Sequence, residues 1–389
     1  MITIRACSIT LALASLIASP SSQATRASET VTVVRLPAGG LQPQVAVDDK
    51  GVMHLLYFKG DAGHGDLFYG RLEPDGSISR ELQVNTRPGS VVATGTMRGG
   101  HLAVGKNGRV HVAWLGSDQA LPRAPGNATP VIYSRMNDAR TAFEPERNVV
   151  QQTVAGLDGG TVAADRAGNV YVAWHAFEPG RDGEADRRVW VTRSTDDGLT
   201  FSRESAASPA ATGACGCCGV GAFADRRGTV YLLYRAATEI VHRDTYLLTS
   251  RDHAATFTAD KLEEWNVGTC PMSTFAFSEN QSGVLAAWET DGQVQWLRID
   301  PMTGRRSPIV SAPGSMKNRK HPVVAGNTRG ETILVWTEGT GWKKGGALAW
   351  QVFDKGGRPT AEAGRAPGVP TWSLAAVVAR LNGGFTIIY

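Results

Sequence analysis

Three thiols crowd into one short stretch of this chain, Cys215, Cys217 and Cys218, among Gly213, Gly216 and Gly219. A fourth, Cys270, stands alone before Pro271 and Met272. Glycines let the backbone take positive φ, so sulfurs at this spacing belong to a tight turn and not to the interior of a strand or helix. Two chemistries suit such a turn. The sulfurs can pair as disulfides, Cys270 with one of the other three, and four thiols allow three complete pairings among which sequence does not choose. Alternatively, thiolates with a nearby His, Met97 or Met272 can hold a soft metal, Cu or Zn, although Cys-x-Cys-Cys is not a zinc-ribbon spacing. No other cofactor is called for.

The compartment bears on that choice. Residues 1–24 read as a signal peptide: Arg5 supplies the positive charge, residues 8–18 the apolar run, and Ser22-Gln23-Ala24 the small-residue cleavage site. Cys7, the fifth cysteine, would leave with it. The apolar run is too short to cross a bilayer, and no later segment approaches ~18 apolar residues. A secreted or periplasmic protein is expected, where disulfides persist. The net charge of +4 is dispersed, which speaks against a nucleic-acid-binding stripe. A monomer is expected, with residues 25–389 forming one domain.

The elements that must position the thiols repeat along the chain. Small and apolar residues, a polar turn with Gly, then an alternating strand ending in an aromatic recur at 45–58, 102–114, 162–174, 222–234, 275–288 and 323–336. Each copy reads as a β-hairpin with an Asp/Asn/Gly turn. Third strands follow at 66–72, 130–135, 188–193, 244–250, 293–299 and 347–353. A spacing of roughly 50–60 residues leaves room for four strands per copy, so the expectation is an all-β, six-bladed propeller. A last hairpin around Asn382-Gly383-Gly384 would close the ring together with residues 31–35.

Behind the third strands lies a sharper pattern. Ser194, Asp196, Gly198, Thr200 and Phe201 fit the Asp-box spacing Ser-x-Asp-x-Gly-x-Thr-Phe at every fixed position. Residues 250–257 repeat it with Ala254 in place of the glycine, and 134–143 are a stretched version. In such a turn the Asp accepts backbone N–H groups, the Gly supplies positive φ and the aromatic pins the turn to the sheet. Hairpin repeats with these boxes resemble the sialidase (neuraminidase) superfamily of six-bladed propellers, across nearly all of residues 25–389.

The resemblance implies that first strands line the axis and that functional groups gather on the rim opposite the boxes. Both cysteine clusters then fall on that rim, in neighbouring blades four and five. His64, His101, His175, His242 and His321 map there, as do Arg98, Arg235, Arg243 and Lys320. His54 and His111 lie inside second strands and read as packing residues. Arg98, His101, Arg235, His242, Arg243, Lys320 and His321 are therefore the candidates for binding a carbohydrate or small anionic ligand, since guanidinium pairs with carboxylate.

Sialidases use an arginine triad, a Tyr/Glu nucleophile pair and an Asp acid/base. Val34-Arg35-Leu36-Pro37 resembles the superfamily's first-arginine motif, which would give Arg35 that role, with Asp61 or Asp66 as the acid/base. No tyrosine lies between Trp265 and Ile388, where the nucleophile should be. Glu338 is the carboxylate that could replace it. The expectation is an exported, ligand-binding, sialidase-like propeller without efficient sialidase turnover; the alternative is an exo-glycosidase of the exo-α-sialidase type acting on acidic sugars. A third use is a docking platform at Trp342, set among glycines and lysines.

Overall fold

The computed structural model describes residues 30–389 except 96, 97, 240 and 316. The leader, Cys7 and Met97 lie outside the described residues. Six four-stranded antiparallel sheets follow one another along the chain, spanning 41–83, 101–148, 158–206, 221–263, 276–311 and 319–369. They are blades 1 to 6. A seventh, three-stranded blade corrects the expected six. Its innermost strand, Ala376–Ala379, pairs with Phe385–Ile388, and the N-terminal strand Val31–Val34 lies parallel to Phe385–Ile388 as its outer strand. A count of internal repeats misses this blade because its strands come from opposite ends of the chain. It closes the ring on both sides. Phe385, Ile387 and Tyr389 pack on Ile333 and Val335 of blade 6, whereas Val378 and Ile388 pack on Met53, Leu55 and Tyr57 of blade 1.

The second strand of each blade is the hinge of this packing. Successive side chains of a strand face opposite ways. In Val230–Arg235, accordingly, Val230, Leu232 and Tyr234 face blade 3 while Tyr231 and Leu233 face blade 5. Ile333 and Val335 likewise face blade 7, and Leu334 and Trp336 face blade 5. Trp114, Trp174 and Trp288, the aromatic ends of three such strands, are fully buried. This double burial explains why the repeats show apolar runs in the second strand.

The turns between first and second strands lie on what is termed here the lower rim. Asp48 Oδ1 accepts the Lys50 and Val52 amides, each at 2.9 Å, and Asp225 Oδ1 does the same for Arg227 and Thr229. The turns between third and fourth strands lie on the same side. Asp196 accepts the Thr200 amide at 2.9 Å and the hydroxyls of Ser194 and Thr200 at 2.6 Å. Burial pushes its carboxyl up, yet the hydrogen bonds from Ser194 and Thr200 outweigh that and bring it down to about 2. Gly198 has φ +81°, and a Cβ there would lie 1.8 Å from the Tyr133 hydroxyl. Phe201 meets the Tyr133 ring edge-on at 4.8 Å. His54 and His111 are buried against Tyr69 and Tyr133, with hydrogen bonds of 2.8 and 2.7 Å to their hydroxyls.

Candidate functional site

The upper rim, where first strands begin, is shaped by a device the sequence pattern does not announce. Gln42, Gly159, Met272, His321 and Trp372, each leading into a first strand, take positive φ of 50–71°. In blades 1, 3 and 6 the ladder slips there by one residue, between Leu41 and Gln44, Asp158 and Thr161, and Lys320 and Val323. A bulge bends a strand and re-aims its side chains. Non-glycine residues held at φ near +50° persist only where their surroundings over-determine them. Gln42 is such a case: its amide donates to Ser373 Oγ at 3.0 Å, and its Nε2 to the carbonyls of Ala93 and Trp372 at 2.6 and 2.7 Å.

Between blades 4 and 5 the structure brings all four sulfurs together. Cys218 N donates to Cys215 O at 3.2 Å, closing a turn, while Cys215 N bonds Arg235 O and Gly219 N bonds Ser273 O, both at 2.9 Å. Cys217 and Cys270 form a disulfide with Cα atoms 6.5 Å apart, joining the two blades. Cys215 and Cys218 are free and buried. Cys215 Sγ lies 3.1 Å from Cys217 Sγ and 3.4 Å from Cys218 Sγ. Glycine is required at 213, where φ is +55° and a Cβ would come within 2.4 Å of Ala237 O.

The Cys215 thiol donates to the Cys218 sulfur, which also accepts the Ser273 amide at 3.5 Å. That shared proton, with burial, holds Cys215 well above the usual thiol range. Burial opposes the opposite shift at Cys218, but the bond from Cys215 and the Arg235 guanidinium outweigh it and lower that thiol.

The basic residues around this turn have protein partners. Arg235, fully buried, stacks 4.7 Å over Trp265 and donates to the carbonyls of Arg243 and Glu289. Arg243 faces Glu184 at 2.7 Å, Arg98 forms a two-pronged pair with Asp158 at 2.7 Å for both contacts, and Lys320 Nζ bonds Pro271 O at 2.5 Å. Glu289 is buried, and burial pushes its carboxyl up against the pull of Lys320 and Arg235; it accepts Ser273 Oγ at 2.9 Å. Of the histidines, His64 is exposed and His242 half-buried, with its Nδ1 2.7 Å from Asn266 Oδ1. Burial lowers His101 to about 4 and His175 and His321 to about 3, so all three are neutral at pH 7. His101 touches Thr161 Oγ1 at 3.4 Å and His321 touches Thr274 Oγ1 at 3.3 Å.

An axial cavity of about 540 Å³ is lined at its upper end by Gln42, Gly99, His101, Thr161, Gly219 and Thr274; of the ligand-binding candidates only His101 lines it. Beside it stands a pair of tryptophans. Trp342 is 54% exposed and meets Trp372 edge-on with ring centroids 4.7 Å apart. Lys343 and Lys344 next to it are exposed and enter no ion pair among the described residues. The glycines and lysines around Trp342 were a signal for this surface; nothing in the sequence pointed to Trp372.

No family model matches the chain, and no curated protein matches it. In three dimensions it is similar to a Hadza microbial sialidase, with 14% identity and a TM-score of 0.50 over 82% of this chain and 69% of that one. The fold is that of the sialidase-like β-propellers. A protein of unknown function from Dyadobacter fermentans DSM 18053 gives 14% identity and 0.52 over 88% and 99%. The Penicillium chrysogenum α-L-arabinanase solved with arabinobiose gives 11% and 0.50 over 82% and 95%.

Within this sialidase-like propeller the four residues considered for catalysis, Arg35, Asp61, Asp66 and Glu338, sit at blades 7, 1, 1 and 6. Arg35 sits beside the outer strand of blade 7, stacked 4.5 Å over Tyr389 and donating to Pro367 O at 2.7 Å. Asp61 is at the exposed hairpin tip of blade 1 and accepts the Gly63 amide at 2.8 Å; Asp66 accepts Asn85 Nδ2 and the Gly89 amide. Glu338, at the end of a second strand in blade 6, is buried and held by Trp336 Nε1 at 3.0 Å, by Arg319 at 3.8 Å and by Arg365. None of the eight tyrosines lines the axial cavity.

Proposed function

We propose that the protein is an exported, ligand-binding, sialidase-like propeller that takes an anionic glycan on its upper rim and is not an efficient sialidase. The observation that carries this is Trp342, exposed and edge-on to Trp372, with Lys343 and Lys344 beside it. An indole face offers apolar contact to a sugar ring, and two unpaired ammonium groups offer charge to its carboxylates. Arg98 and Arg243 are already paired with Asp158 and Glu184, and Arg235 donates to two carbonyls, which argues against a triad waiting for a substrate carboxylate. Arg35 and Glu338 are held by protein groups, and none of Arg35, Asp61 and Glu338 lines the axial cavity, which argues against turnover there.

Calorimetric titration with acidic and neutral oligosaccharides tests the reading. Acidic chains should bind more tightly, and Trp342→Ala should weaken them about tenfold or more. Failure of every acidic glycan to bind, or binding indifferent to Trp342→Ala, overturns it. Hydrolysis of a sialoside that vanishes in Arg35→Ala would promote the exo-glycosidase alternative.

A second reading concerns the sulfurs. Cys215, Cys217 and Cys218 present ligand atoms within 4.8 Å of one another, and in the reduced protein this donor set suits Cu(I) or Zn(II). One equivalent of metal retained by reduced protein after desalting, and lost in Cys215→Ser, supports it; no retained metal excludes it.

A further inference from the structure

The turn around Cys215 holds more than a staple. A disulfide, Cys217–Cys270, has a free thiol 3.1 Å from one of its sulfurs, and that thiol has an acceptor for its proton at 3.4 Å. We propose that these four residues form a thiol–disulfide relay that transfers the inter-blade bond into the turn and releases Cys270 as a surface thiolate. Cys215 Sγ attacks Cys217 Sγ. Cys218 enters as the thiolate and takes the Cys215 proton to become a thiol, the Cys217–Cys270 bond breaks, and its electron pair leaves on Cys270, so the single negative charge passes from Cys218 to Cys270. One disulfide is consumed and one, Cys215–Cys217, is formed, so no oxidant or reductant is needed. The step is thiolate attack through the ordinary exchange mechanism.

The placement of each sulfur supports this direction. Cys218 is set to take the proton, because its sulfur already accepts the Cys215 S–H at 3.4 Å and the Ser273 amide at 3.5 Å. Cys270 is the exposed member of the four, so its thiolate leaves into water, whereas Cys215 attacks from a buried position. Gly216, between attacker and target, adds no side chain to the small ring the product closes. The outcome is an unlinked pair of blades and a nucleophilic thiolate on the rim, available to an external disulfide. The relay does not rest on the glycan reading, and binding at Trp342 is unaffected by its failure.

The test is alkylation of the native, unreduced full chain with iodoacetamide, followed by peptide mapping without reduction. Wild type should be carbamidomethylated at Cys270, with a Cys215–Cys217 disulfide trapped in the same molecules. Cys215→Ser should leave Cys270 unlabelled, and Cys218→Ser should slow its labelling on the order of tenfold. Three results would overturn the relay: label confined to Cys215 and Cys218 with Cys217–Cys270 intact, two disulfides and no label, or four thiols holding a stoichiometric metal. The wild-type arm decides the matter even if a serine variant fails to fold, and thermal melts of both variants reveal such a failure.

Discussion

On the lower rim Asp48, Asp165 and Asp225 each gather the amides of a first-to-second-strand turn, in blades 1, 3 and 4, and Asp196 accepts the Thr200 amide in the other turn of blade 3. On the upper rim Gln42, Met272, His321 and Trp372 share a left-handed backbone but not a side-chain type, and each meets different partners. The lower rim solves one problem repeatedly: where the N–H groups of a tight turn find acceptors. The upper rim uses one backbone bend to aim unlike groups at the axis and at the junctions between blades. Repetition here marks what holds the ring, and departure from repetition marks where the ring can act. The cysteine turn and the Trp342 surface both lie on the non-repeating side.

Arg235 offers the strongest way to break this contrast. Although on the upper rim, it acts as a structural post, buried under Trp265 and donating to two carbonyls. Arg235→Ala should cost about 3–5 kcal/mol, because a buried charged partner is removed and its acceptors are stranded. Urea unfolding measures it. A loss below about 1 kcal/mol, on the scale of an exposed pair, would mean that the guanidinium is free to serve a ligand.

Acid acts next, and on both rims: burial lowers His111, beside the lower-rim turn, to about 3 and lowers His54 as well, so the upper-rim share is read from a single variant. His101, His175 and His321 have folded values of about 4, 3 and 3, below the unfolded value of 6.5. The unfolded chain therefore binds more protons through that interval. Their contribution is complete above pH 6.5 and is lost as pH falls, at up to about 1.4 kcal/mol per pH unit for each histidine. Asp196 is depressed from 3.8 to about 2, so its contribution is intact at pH 5 and is lost only between those values. Stability measured between pH 7 and 4.5 should fall in the wild type and fall less in His175→Gln. An identical slope in the two proteins would remove the upper rim as the source.

The smallest effect sharpens the same comparison from below. Asp196→Ala should cost about 0.5–1.5 kcal/mol, the net worth of an ordinary hydrogen bond, because the Thr200 amide is exposed and water replaces its acceptor. Glycan affinity of the folded protein should not change. Affinity lost without a loss of stability would reverse the assignment of the rims.

Much of this architecture was legible from residues alone. The Asp–x–x–Gly turns, the alternating second strands and the Ser194 to Phe201 spacing are local patterns, and hydrogen bonding within a few residues fixes their form. The turn at Cys215 was legible for the same reason. That the last hairpin and residues 31–35 close the ring was also legible, but not that they form a seventh blade of their own, because the blade is short of one strand and its strands come from opposite ends of the chain. Nor was the Cys217–Cys270 pairing, since adjacent thiols in one turn are separated only by where each Cβ points. The commitments of Arg98 to Asp158, Arg243 to Glu184 and Glu338 to Arg365, and the meeting of Trp342 with Trp372, were equally out of reach. A sequence determines which groups are present and the local turns they sit in. Which charges remain free for a ligand is decided by contacts between blades far apart in the chain, where burial makes an unpaired charge costly and so selects its partner.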